Sequence, residues 1–141
     1  MRLTVILLGL AAAAGAWGQT CSSATIRGTY GLLCTGYVTP APNAPQVTFS
    51  AIGTVTGTWG ANFSGNAKVS IGGAILNQTV TGNAAVNGDC TGTISYSQTI
   101  NGQPGPPINL TFQILDEGKE IRGMSTDAGS TMTCSLRLMS R

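Results

Sequence analysis

The stretch "FSGNAKVSIGGAILNQTVTGNAAV", residues 63–86, decides the fold. Phe63, Gly65, Ala67, Val69 and Ile71 fall on one face of an extended run. Leu76, Gln78, Val80, Gly82, Ala84 and Val86 fall on one face of the next, with Gly72-Gly73 between the runs. Alternation with a period of two on both sides of a two-residue glycine turn predicts an antiparallel pair of strands.

The same pattern continues in both directions. Upstream, "QVTFSAIGTVTGTW" (46–59) puts Val47, Phe49, Ala51, Gly53, Val55, Gly57 and Trp59 on one face. Its length predicts a bend or bulge near Gly53, and Gly60-Ala61-Asn62 reads as the following turn. Before it, "IRGTYGLLCTGYV" (26–38) aligns Ile26, Gly28, Tyr30, Leu32 and Cys34. Downstream, Asn87-Gly88-Asp89 is a turn, after which Gly92, Ile94, Tyr96 and Gln98 alternate. "NGQPGPP" (101–107) reads as a loop, because proline cannot donate to a ladder. Ile108, Leu110, Phe112 and Ile114 share a face, the charged "DEGKE" (116–120) reads as an exposed hairpin tip, and a strand starts at Ile121. Met132, Cys134, Leu136 and Leu138 share the last face.

About eight strands follow, and no crossover helix joins them. The fold expected is all-β: a single small antiparallel up-and-down β-barrel, with a two-sheet sandwich as the alternative. Many inward positions are Gly or Ala, which permits tight curvature around a cavity or around a narrow packed interior.

The N-terminus, "MRLTVILLGLAAAAGAWGQTC", carries one charge at Arg2, an apolar run over Leu3–Ala14 and small residues at Ala16 and Gly18. It reads as a signal peptide over residues 1–18, too short to span a membrane, leaving a single domain over 19–141 with no transmembrane segment. Thr20 and Gln19 before Cys21 do not suit lipidation. Export to a secreted or periplasmic location makes the four cysteines two disulfides. Cys34 and Cys134 both point inward by parity, on the first and last strands, which a barrel brings together. The expected pairs are therefore Cys34–Cys134 and Cys21–Cys90. No C-x-x-C pair and no histidine is present, so neither a metal site nor a cofactor is expected.

Without Arg2, six basic residues face five acidic ones, with no basic stripe for nucleic acid. Only 9% of residues are charged, against about 25% in typical domains, and Thr, Ser, Asn and Gly supply the polarity. The missing histidine removes Ser-His-Asp and Cys-His mechanisms, and no residue is assigned as catalytic. The ligand-pocket candidates are the inward aromatics Tyr30, Phe49, Trp59, Phe63 and Tyr96, together with Asp89 beside Cys90. Against a ligand role for Asp89 stands the ordinary habit of a turn aspartate, which bonds its own downstream backbone.

"CSSATIRGTYGLLCTG" (21–36) and "AAVNGDCTGTISY" (84–96) resemble a group of uncharacterised bacterial secreted proteins with a Gly-Thr-Tyr first strand and a Val-Asn-x-Asp-Cys-Thr-Gly motif. That resemblance covers most of residues 19–141 and implies a calycin-like or allene-oxide-cyclase-like barrel, without an activity to carry over. Such proteins often have larger residues where Gly31 and Cys34 stand here, which would make one disulfide local to this chain. The function expected is an exported, non-catalytic barrel that binds a small apolar ligand or serves as an envelope or extracellular interaction module. Two alternatives are a lyase, isomerase or cyclase using Asp89 or a buried tyrosine, and a structural subunit of a surface assembly. Oligomeric state is not written in the sequence.

Overall fold

The computed structural model describes residues 18–141. The expected signal peptide therefore lies outside the described residues, apart from Gly18.

Nine strands form: β1 (Gly28–Val38), β2 (Val47–Gly57), β3 (Asn62–Ile71), β4 (Ala74–Val86), β5 (Thr91–Ile100), β6 (Gln103–Pro104), β7 (Ile108–Leu115), β8 (Glu120–Ser125) and β9 (Thr133–Ser140). Eight close a ring in sequence order, β1-β2-β3-β4-β5-β7-β8-β9, every pair antiparallel, with β9 returning to β1. The chain is thus an up-and-down barrel rather than a sandwich. Closure pairs both edges of every ring strand, which removes the template an exposed edge offers to other chains.

Local chemistry accounts for the turns. Gly72 (φ 56°) and Gly73 (φ 91°) both lie at positive φ, the requirement of the tight β3–β4 hairpin turn. Asn101 (φ 49°) and Gly102 (φ 79°) do the same after β5. They fold the expected 101–107 loop back on itself, so that β6 pairs with the end of β5 outside the ring.

Within the strands, the inward faces are those set by alternation from β1 to β9, with two corrections. Pairing of β2 with β1 and β3 runs through Gly53 without a bulge. Gly53 instead meets β3 closely: a Cβ there would lie 2.1 Å from the Asn66 carbonyl oxygen. The register shift falls between β1 and β9, where Thr29 pairs with Ser140 and Tyr30 with Leu138, leaving Met139 as the extra residue. The second correction is Trp59. β2 stops at Gly57, and a short helical turn, Trp59–Ala61, carries the indole outside the barrel, where it is 75% exposed.

The two ends of the barrel are built differently. At one, tight turns meet the N-terminal segment, whose 3-10 turn Ser23–Ile26 is capped by Ser22 and tucks Ile26 into the core. Gly118 packs under it; a Cβ there would lie 2.2 Å from the Thr25 carbonyl oxygen. The "DEGKE" tip therefore exposes Asp116, Glu117 and Lys119, while Gly118 is covered and the Glu120 side chain is only 18% exposed. The Cys21–Cys90 disulfide staples the plug. The other end carries the longer loops, residues 39–46, 101–107 and 126–132. Between the ends, Cys34–Cys134 joins β1 to β9 across the seam of the ring.

Candidate functional site

Alternation alone could not say whether the barrel is hollow or plugged. The deep interior is nearly filled. It keeps about 80 Å³, lined by Tyr30, Val55, Ala84, Ile121, Leu136 and neighbours, well below the ~150 Å³ that accommodates benzene. The open end differs. A partly enclosed cavity of about 330 Å³ lies there, walled by Val38, Phe49, Ile71, Ile100, Ile108 and Met132 and rimmed by Pro40, Pro106 and Pro107. That volume falls within the range of small-molecule sites.

Polar groups enter this apolar mouth at a few points. Gln78 is 4% exposed, an amide on an otherwise apolar inward face of β4. Its Nε2 donates to Gln98 Oε1 at 2.6 Å, and Gln98 Nε2 donates to the Pro106 carbonyl oxygen at 3.0 Å. The pair therefore carries a chain of amides from the boundary between the mouth and the deep interior to the 101–107 loop. Gly53 and Ala67 share the cross-strand rank of Gln78, so small side chains flank the buried amide.

Tyr96 borders both the mouth and the deep interior. Gly82 lies between it and Phe63 in the ladder, and the two rings meet edge to face, with centroids 6.3 Å apart, across the missing side chain. Burial, and secondarily the Asp127 carboxylate, push the Tyr96 phenol above the usual tyrosine range, so it stays a neutral group. No protein hydrogen bond engages its hydroxyl among the described residues.

The rim is tied down. Asp127 Oδ2 accepts from the Asn109 backbone N–H and Oδ1 from Asn109 Nδ2, both at 2.8 Å. Thr39 Oγ1 and Gln46 Nε2 both donate to the Gly129 carbonyl oxygen at 2.9 Å, joining the first and last mouth loops.

Of the expected pocket residues, Phe49 and Tyr96 meet at the mouth, with Phe63 behind Tyr96. Tyr30 sits at the plugged end, where its hydroxyl donates to the Gly118 carbonyl oxygen at 2.8 Å and pins the β7–β8 turn. Trp59 lies outside with the Arg27 guanidinium stacked 3.2 Å from its ring centre. Asp89 also lies outside, exposed, its Oδ1 accepting from the Thr91 N–H at 3.1 Å and the Thr91 hydroxyl at 2.6 Å. Those bonds hold the carboxyl below the usual carboxylate range. An acid/base role for Asp89 needs a cavity reaching it, and it lines neither the mouth nor the deep interior. Gln78, Gln98 and Asp127 were missed as site residues. For the two glutamines the signal was present: each is a polar residue on an inward face.

No cluster of three or more His, Cys, Asp or Glu residues suited to a metal ion occurs among the described residues, and no helix there is long and apolar enough to cross a membrane. No family model, curated protein or solved structure matches this chain. The Gly28-Thr29-Tyr30 motif opens β1, and Val86–Gly92 spans the β4–β5 turn, both at the plugged end.

Proposed function

We propose that this protein is a non-catalytic, exported binding barrel that takes a small apolar molecule into its mouth. One observation carries the reading: a pre-formed, largely apolar cavity of about 330 Å³, with the Tyr96 phenol and the Gln78–Gln98 amide pair on its inner wall and Asp127 at its rim. Bonds within the rim support it, because a site ordered in advance loses less entropy on binding. Export is part of the proposal. Two disulfides suit an oxidising compartment.

The test is displacement of a neutral, environment-sensitive fluorescent dye from the disulfide-bonded protein, repeated with Ile108→Trp, which fills the mouth. The expected result is saturable dye binding that the variant loses while its thermal transition stays close to the parent's. A folded protein that binds no dye would overturn the reading.

A second reading, an interaction module, rests on the outer wall. Leu33 and Ile52 are cross-strand partners and 53% and 66% exposed, beside an outer trough of about 610 Å³ lined by Leu33, Thr133, Met124 and Arg122. Light scattering with Leu33→Ser tests it: self-association that the substitution abolishes would favour it.

A further inference from the structure

The placement of charge in the molecule sharpens the proposed ligand. Resting on the mouth as the binding site, we infer that its ligand is electrically neutral: an uncharged lipophile with one hydrogen-bonding head, such as an alcohol, amide or lactone.

Every basic residue of the described chain lies elsewhere. Arg27 stacks on Trp59 at the plugged end. Lys119 pairs with Asp116 there, and Arg141 donates to the Glu117 carbonyl oxygen. Arg122 and Arg137 flank Glu120 on the outer wall, and Lys68 donates to Asn77 on the opposite wall. None of the six lines the mouth.

The single carboxylate at the mouth is Asp127. An anionic head entering the cavity would shed water beside a like charge and find no cation to replace that water. A cationic head would find a carboxylate whose two oxygens already accept from Asn109, at the rim rather than on the floor. The polar atoms deeper in the cavity belong to Gln78, Gln98 and Tyr96. Amide and phenol groups offer both donors and acceptors, which complements a neutral hydroxyl, amide or carbonyl. Size follows from volume. The cavity has about twice the ~150 Å³ that holds benzene, which suits a ligand of about a dozen non-hydrogen atoms.

A matched ten-carbon series, 1-decanol, decanoate and decylammonium, tests this at neutral pH below the aggregation concentration of each. The readout is displacement of the neutral dye from the disulfide-bonded protein. Decanol should displace it at about a tenfold lower concentration than either charged member. In Asp127→Asn, displacement by decanoate relative to decanol should improve several-fold, because the anion alone is repelled by the removed charge. Decanoate or decylammonium matching decanol would overturn the inference and leave the mouth reading standing. A dye that binds but yields to none of the three would do the same. Failure of the dye itself to bind would overturn both.

Discussion

The two ends of this barrel use the same strands for opposite purposes. At the plugged end, Ile26, Tyr30, Ala61 and Phe112 are buried, the N-terminal segment is stapled by Cys21–Cys90, and charged side chains crowd the outside. At the mouth, the longer loops are held through the Gly129 carbonyl oxygen, which joins two of them, and the Pro106 carbonyl oxygen, which accepts from Gln98 of β5. They enclose a largely apolar space that no basic residue lines. The difference teaches how a small domain divides its labour: one end holds the barrel shut so that the other can stay hollow.

Removing the staple is the strongest way to break that comparison. A Cys21→Ser, Cys90→Ser double variant should lose about 2–5 kcal/mol of stability by chemical denaturation under oxidising conditions, since the bond closes a long loop. Dye binding at the mouth should persist wherever the variant remains folded. Loss of binding in a folded variant would show that the ends are not independent.

Glycine substitutions sharpen the contrast at a smaller scale. A Cβ on Gly92 would lie 2.2 Å from the Ala85 carbonyl oxygen and 2.4 Å from Phe112 Cζ, backbone and packed ring, neither free to move away. Gly92→Ala should therefore cost about 1–3 kcal/mol. At the mouth, a Cβ on Gly105 would meet Gln98 Cγ at 3.1 Å, a contact that a shift of a few tenths of an ångström in the loop relieves. Gly105→Ala should stay within about 0.5 kcal/mol of the parent. Denaturation curves of the pair would decide whether the plugged end is the more tightly specified.

What the sequence made legible was local. Side-chain parity is a property of each strand by itself, so the inward faces, and with them the directions of Cys34 and Cys134, could be read directly. Parity failed where it was carried past a strand's end, as at Trp59, because nothing in "TGTW" marks Gly57 as the last paired residue. Asn101-Gly102 was legible as a hairpin signal, but the prolines after it concealed the short strand. Asp127 was not legible as a mouth residue at all. Its position follows from closure of β8 and β9 against β7, and contacts across such distances leave no trace in local alternation. Gln78 and Gln98 were visible on the inward faces, yet only the observed 2.6 Å contact shows them to be a pair.

Alkaline pH probes both ends at once. Burial raises the Tyr30 phenol, with Arg141 opposing, and raises Tyr96 with Asp127 adding to the effect. A raised folded-state value favours the neutral phenol in the folded protein. The associated stability is intact below the unfolded value of about 10 and is lost as pH climbs through the folded values. Denaturation midpoints should therefore fall above about pH 10, and Tyr96→Phe should remove more of that fall than Tyr30→Phe. Equal relief from both substitutions would mean that the mouth shields its phenol no better than the plug does.

The smallest effect is expected at Asp89, the carboxylate beside Cys90. Asp89 is exposed, and its carboxylate serves the Thr91 N–H and hydroxyl within the turn that presents Cys90 to Cys21. Cys90 sits at φ 67°, an uncommon value for a residue with a side chain, so the turn gains from any bond that fixes its geometry. Asp89→Ala should lower the melting temperature slightly and leave dye binding at the mouth unchanged. Because the folded-state value is depressed, the turn's contribution is present at neutral pH and disappears as pH falls through that value. The difference between parent and variant should thus shrink in acid. A variant that kept its melting temperature but lost ligand binding would return Asp89 to the functional site and dissolve the division between the two ends.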